Sequence, residues 1–290
     1  MGKAKTPSNK HMELLGQTIP HQTVGSLSGG KCIAKHEVPY NPNCSCSHRW
    51  QAFEKAMEHS DMYNLSDADL RAGSARPMLF RGGAAAVAKL AQQGVSAVLS
   101  AGNKGMYLRK VDKPRVGDWD IDRSKYNFKW DCNKPYYHEA HHVVPDATLR
   151  AALTEVFKKS AELAFQVMCE VLDAPYNVHG KVNMIILPMD ERVGKMLQLP
   201  IHRETKKCNH SAYDVYIKEK LKARFRAALR EIMKKHDEEG GTPQYKSLAE
   251  AIDVISAETY VEVSTARGIH GVKSIEELGK KLMQSLASNA

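Results

Sequence analysis

The stretch "YYHEAHHVVPDATLR", Tyr136 to Arg150, decides how the rest of the chain is read. Two adjacent histidines, His141 and His142, sit inside a short apolar run that Pro145 stops. An imidazole needs polar partners once buried, so a segment built only for packing would rarely carry two. The run is short, β-branched and closed by proline, which predicts a strand ending in a turn. Successive side chains on a strand point to opposite faces. His141 and His142 therefore cannot do the same job on an undistorted strand. One can hold a metal ion while the other acts as a base.

Downstream, "DATLRAALTEVFKKSAELAFQVMCEVLDAP" places Leu149, Leu153, Val156, Leu163, Val167 and Val171 at about helical spacing, with Asp146 as the cap. The spacing predicts one long helix that ends before Pro175. "VHGKVNMIILP" (Val178 to Pro188) reads as a glycine turn entering a buried strand that starts at Asn183. A loop with Pro200 follows. Asn209 or Ser211 can then cap a long helix with apolar Tyr213, Ile217, Leu221, Phe225, Leu229 and Ile232. Beyond it, the pattern predicts a helix ("SLAEAIDVISAE"), a short strand ("TYVEVST") and a last amphipathic helix ("SIEELGKKLMQSL").

Upstream, residues 1 to about 75 are rich in Ser, Pro, Asn, Gly and His and read as irregular, with a short helix around "HRWQAFEKAMEHS". "GGAAAVAKLAQQGVSAVLSAGNKG" (Gly82 to Gly105) reads as a packed helix followed by a second helix or a strand. No strand–glycine-loop–Lys pattern makes it a phosphate loop.

The 290 residues are 42% hydrophobic and 26% charged, an ordinary soluble composition with enough apolar material for a real core. No apolar run approaches the ~18 residues that span a bilayer, so no membrane partner is expected. The basic N-terminus has no apolar core of an export signal. Six scattered cysteines without such a signal argue for reduced thiols rather than a disulfide framework. Within "CSCSHRW", Cys44, Cys46 and His48 can supply zinc ligands, with Cys32 or His36 to complete them. Free thiols in a loop are the plainer reading.

The net charge of +9 is unevenly spread. Between Lys195 and Lys235 there are 12 Lys and Arg against four acids, an excess of eight. Clustered positive charge is the footprint of a polyanion binder, or else a solvated helix face.

The polar residues that stand out in this framework are His141, His142, Asn183, His202 and His210. His202 and His210 lie eight residues apart, ~12 Å on a continuous helix. They can converge on one ion only if a loop precedes the helix, which Pro200 and Asn209 permit. Together these pieces resemble the AHH nucleases of the HNH/endonuclease VII superfamily: Ala140-His141-His142 before "VVP", then "NMIILP" (Asn183 to Pro188), then "LPIHRETKKCNHSAYDVYIKEKL" (Leu199 to Leu221). The resemblance covers about residues 136 to 225.

That resemblance implies an α+β fold, a ββα-metal finger embedded in a largely helical chain, that cuts phosphodiester bonds. It makes His142 the general base and His141 a metal ligand. Asn183 becomes the residue that orients the base or supports the metal. His210 becomes the second ligand, and His202 a third ligand or a phosphate contact. Arg203, Lys206 and Lys207, between the two later histidines, are placed to grip phosphates. One divalent ion, Mg2+, Mn2+ or Zn2+, is the expected cofactor, and DNA the expected partner, with RNA as the other substrate. A non-catalytic, zinc-stabilised nucleic-acid-binding or adaptor protein is the alternative. Met184 stands where the family often has Gly, and a long helix separates His142 from Asn183. Both departures bear on the role of Asn183.

The resemblance also implies a bacterial toxin effector. Such a chain is cytoplasmic in its producer and reaches target cells by type VI-like secretion without a classical signal peptide. An acidic immunity protein would block the basic site. Residues 1–130 would be a delivery or adaptor region that meets the secretion apparatus, 131–236 the nuclease domain, and 237–290 a C-terminal α/β extension packed on it. Tyr213 is expected in the core and His179 in a turn. Glu139 is either a supporting residue behind the metal ligands or merely exposed.

Overall fold

The computed structural model describes residues 22–23, 29–34, 41, 43–63, 138–158, 161–189, 191–203, 210–240 and 242–288, with short strands at 13–14, 17–18, 78–81, 97–99 and 106–109. These residues mix helix and sheet and are mostly helical. Strand β1 (Glu13–Leu14) pairs antiparallel with β2 (Gln17–Thr18). Strands β3 (Met78–Arg81), β4 (Ala97–Leu99) and β5 (Met106–Arg109) form an antiparallel sheet in the order β3–β5–β4. The helix expected after Gly82, and the lead-in to Tyr136, lie outside the described residues.

The centre of the molecule is a two-stranded antiparallel sheet, β6 (His138–His142) against β7 (Met184–Pro188), with His141 opposite Ile185 and His142 opposite Met184. Every residue of β7 is buried. Its unbroken apolar run is what a strand covered on both faces requires. Met184 and Ile186 meet Trp50, Phe53 and Ala56 of helix α1 (His48–Glu58), with Val193 and Leu197 of helix α4 (Glu191–Leu197). Ile185 and Leu187 face the larger core. That core takes in helices α2 (Asp146–Val156), α3 (Ala161–Asp173), α5 (Ser211–Glu239), α6 (Ser247–His270) and α7 (Ile275–Ser288). Tyr63 closes the outer edge of β7: its hydroxyl donates to the Ile186 carbonyl (3.2 Å) and accepts from the Ile186 N–H (3.3 Å). The α1 helix forms where the sequence predicts it.

Three local expectations are corrected. First, "TYVEVST" is not a strand: it is the middle of α6, which runs unbroken from Ser247 to His270. Thr259, Val261, Val263 and Thr265 carry β-branched propensity, but Tyr260, Val263 and Ala266 fall on one buried helical face, and packing overrides propensity. The C-terminal extension is therefore helical among the described residues. Second, Asp146 to Pro175 holds two helices, not one. Pro145 occupies the cap position of α2, while Asp146 lies in its first turn and pairs with Arg150. Third, Ser211 does not cap α5 but is its first helical residue, and Asn209 lies outside the described residues. The cap is supplied from a distance: the Glu276 carboxylate of α7 accepts from the Ala212 N–H at 3.0 Å.

Packing crosses both expected domain boundaries. One buried cluster joins Ile33 and Ala34 to the helices that follow His138 and to Ile275 and Leu278. No helix among the described residues is long and apolar enough to cross a membrane.

Candidate metal and base site

Strand alternation sorts the two histidines as expected. His141 turns toward the start of α5, and His142 toward the start of α1.

On the first face His141, His202 and His210 each offer a ring nitrogen, and the three nitrogens lie within 4.8 Å of one another. This is the one group among the described residues that can hold a metal ion. His141 comes from the strand. His202 comes from the loop after α4, whose backbone is stitched on both sides. The His202 N–H donates to the Pro188 carbonyl (2.9 Å), Ile201 N–H to Lys273 (2.8 Å), and Ile275 N–H to the Ile201 carbonyl (3.1 Å). His210 occupies the position before α5 with a left-handed backbone, φ 51°. A non-glycine residue held there is strained, and such strain persists where the surroundings enforce it. Here α7 does so. A Cβ on Gly279 would lie 2.2 Å from the Tyr213 nitrogen, so only glycine lets α7 approach the first turn of α5 this closely. Tyr213 is fully buried and donates to the Val143 carbonyl at 2.6 Å, tying the helix to the end of β6.

The residues present fit an ion. His141 Nε2 is buried without a hydrogen-bond partner, an arrangement folded proteins avoid unless something else satisfies it. His202 Nε2 and His210 Nε2 face each other at 3.2 Å. That is close to the edge of a tetrahedron of nitrogens around zinc, about 3.3 Å for Zn–N of ~2.0–2.1 Å.

Behind them lies Glu139, 8% exposed. Its carboxylate accepts from His202 Nδ1 (2.8 Å) and from Arg203. A carboxylate only accepts, so the His202 proton sits on Nδ1 and its Nε2 lone pair faces the other rings. Burial alone would raise the Glu139 carboxyl, but the bonds and charges of His202 and Arg203 hold it at about 2. The three rings are pushed the other way. Burial, then the neighbouring His202, His210, His142 and Arg203, holds His141 well below the usual range. Burial lowers His202 despite Glu139. Burial, His202 and Arg203 bring His210 to about 3. All three are neutral at pH 7, the state in which imidazole ligates.

On the opposite face His142 is half-buried, with its Nε2 2.9 Å from His179 Nδ1. Asn183 lies behind them. Its Nδ2 donates to Val144 (2.9 Å) and Val178 (2.8 Å), and its Oδ1 accepts from the Val144 N–H (2.7 Å) and the Ser256 hydroxyl (3.2 Å). The fully buried amide is thus committed to backbone and Ser256, in the turn just before β7. It fixes the chain that follows His142.

The remaining expected residues divide. Arg203 is drawn inward to Glu139, with its side chain 31% exposed. Lys206, Lys207 and His36 lie outside the described residues. Cys32, Cys44, Cys46 and Cys169 form no disulfide among the described residues, and there Cys44, Cys46 and His48 do not make up a metal-holding group. The basic stretch is less bare than its sequence suggests. Lys218 and Lys222 pair with Glu155, Lys220 with Glu258 and Glu262, and Arg224 with Glu258. Lys234 and Lys235 pair with Glu238 and Glu239, just past the stretch.

The chain matches no family model, no curated protein and no solved structure.

Proposed function

We propose that the protein is a metal-dependent endonuclease of the AHH type. In this reading β6, β7 and the start of α5 form a ββα-metal finger into which α2 and α3 are inserted. One observation carries it: three histidines whose ring nitrogens lie within 4.8 Å of one another converge on one face of β6, that of His141 without a hydrogen-bond partner, while the next residue presents a half-buried histidine on the other.

His141, His202 and His210 hold the ion. When bound, it acts as a Lewis acid on the phosphate and the leaving oxygen. Three imidazoles without a carboxylate ligand favour a zinc-like transition ion over magnesium, which prefers oxygen. Glu139 orients His202 for ligation. His142 takes the proton from the attacking water, a role that suits a neutral imidazole near pH 7. Asn183 serves that base through the backbone it pins.

DNA is the proposed substrate. A toxin role, with an acidic immunity protein and a secretion-apparatus partner, follows from the AHH resemblance alone. Purified protein should nick supercoiled plasmid in Zn2+ or Mn2+ and fail in EDTA and as His142→Ala. The same assay on RNA decides the substrate. No cleavage in any metal, with one ion still bound, would replace this reading with a metal-stapled binding module. Expression in bacterial cytoplasm should be toxic for the wild type and harmless for His142→Ala.

A further inference from the structure

The positive charge of α5 is not spread evenly once its ion pairs are drawn. Lys218 and Lys222 meet Glu155, and Lys222 also meets Glu219. Lys220 and Arg224 meet Glu258 of α6. Lys234 and Lys235 reach Glu238 and Glu239 one turn on. Arg226 and Arg230 are left. Both are exposed, and neither has an ion pair or a side-chain hydrogen bond among the described residues.

The two arginines stand four residues apart. Their side chains therefore leave one face of the helix, about 6 Å apart along its axis. The acids that share this face, Glu219 and Asp237, lie seven residues to either side, about 10 Å away. Two like charges at this spacing work against an isolated helix. They become favourable when a line of negative charge lies across them. The 6 Å step is close to two steps of ~3.4 Å, the axial spacing of charges along one DNA strand. A guanidinium fork also matches the oxygens of a phosphate.

We propose that Arg226 and Arg230 form a backbone anchor for duplex DNA on the exposed face of α5, remote from the metal face. The choice of DNA over an acidic protein rests on the nuclease reading above. The same helix begins at the ligand His210, about 24 Å from Arg226 and 30 Å from Arg230 along its axis. The anchor carries no chemistry. It holds the duplex through its phosphates, so it adds affinity without reading bases. The lysines nearer the metal, Lys218 and Lys222, add little because Glu155 already holds them.

The test titrates the full, metal-loaded chain with a fluorescent duplex of about 20 base pairs, longer than the ~43 Å of α5. His142→Ala in every sample keeps the duplex uncut. Each phosphate contact contributes about 0.9 to the slope of log affinity against log salt. The double variant Arg226→Gln, Arg230→Gln should lower that slope by about 1.8, so the parent loses about tenfold more affinity than the variant between about 50 and about 200 mM salt. Arg224→Gln, whose guanidinium is already paired with Glu258, should leave the slope at the parent value. An unchanged slope in the double variant would overturn the proposal, as would an equal fall with Arg224→Gln. So would polyglutamate that binds as tightly as the duplex at the same salt, which would make this face a seat for an acidic protein. If the chain without His142→Ala cuts nothing in any metal while the slope change persists, the nuclease reading fails and the DNA anchor stands in a binding module.

Discussion

The two faces of β6 are one residue apart in sequence and are held by opposite ends of the chain. The His141 face is built by His202 and His210, and these are fixed by Lys273, Ile275, Glu276 and Gly279 of the C-terminal segment. The His142 face is built by His179, and this is fixed by Gly29, Ala34 and Ser45 of the N-terminal segment. The two faces also differ in chemistry. On the first, three ring nitrogens converge within 4.8 Å and that of His141 has no hydrogen-bond partner; on the second, the contact from His142 leads through His179 to a backbone carbonyl. A nitrogen left open suits an ion, and a half-buried ring suits a base. Alternation along five residues of strand is enough to keep the two proposed tasks apart.

The sharpest way to break this division is to remove a ligand. His141→Ala or His210→Ala should lower the bound ion from one per chain to none, with nicking at background, measured by metal analysis of the dialysed protein. His142→Ala should keep the ion and lose about 10²- to 10⁴-fold in rate, so the two faces separate in one pair of measurements. Glu139→Gln sharpens the first face. It leaves His202 without its charged acceptor and should weaken metal affinity about 10- to 100-fold, read by competition with a chelator. Gly279→Ala acts from further off. Its Cβ meets the Ala212 and Tyr213 backbone at 2.2–2.5 Å, and α7 must shift, lowering stability by about 1–3 kcal/mol in thermal unfolding. The ion should be held less tightly because His210 moves with the first turn of α5.

The smallest effect is a pH effect in that turn. Burial, with Glu276 and Asp146 nearby, raises the Asp214 carboxyl from 3.8 to about 6. A folded-state value above the unfolded one means that its stabilising contribution is complete below 3.8 and is lost as pH rises through 6. Asp214→Asn should therefore raise Tm at pH 7.5 more than at pH 4.5. The upper limit is about 3 kcal/mol, from the rise from 3.8 to about 6.

Much of the metal face was legible in the sequence. Adjacent histidines on a strand must diverge, and His202 and His210 could meet only across a loop, which is where Pro200 and the left-handed His210 place them. The base face was less legible. His179 in "VHGK" looks like a turn histidine because its partner is a backbone carbonyl of Ala34, and a carbonyl leaves no trace in residue type. Glu139 could be read either way, since burial of a carboxylate depends on Arg203 and His202 arriving from elsewhere. "TYVEVST" misled because β-branched residues suit a strand locally, while the buried face they share with Ile252, Ile255 and Ala266 is set by packing on α5. The charge excess, which left a polyanion footprint and a solvated helix face both open, is legible only in part for a similar reason. Glu155, Glu258 and Glu262 come from other helices, so counting along α5 overstates the free positive charge.

The central claim is that one face holds the ion and the other moves the proton. It is tested most directly by measuring bound metal and plasmid nicking on the same preparation of His142→Ala. One ion per chain with nicking at least a hundredfold below wild type is the predicted result. An ion lost with the side chain, or nicking at the wild-type rate, would contradict it.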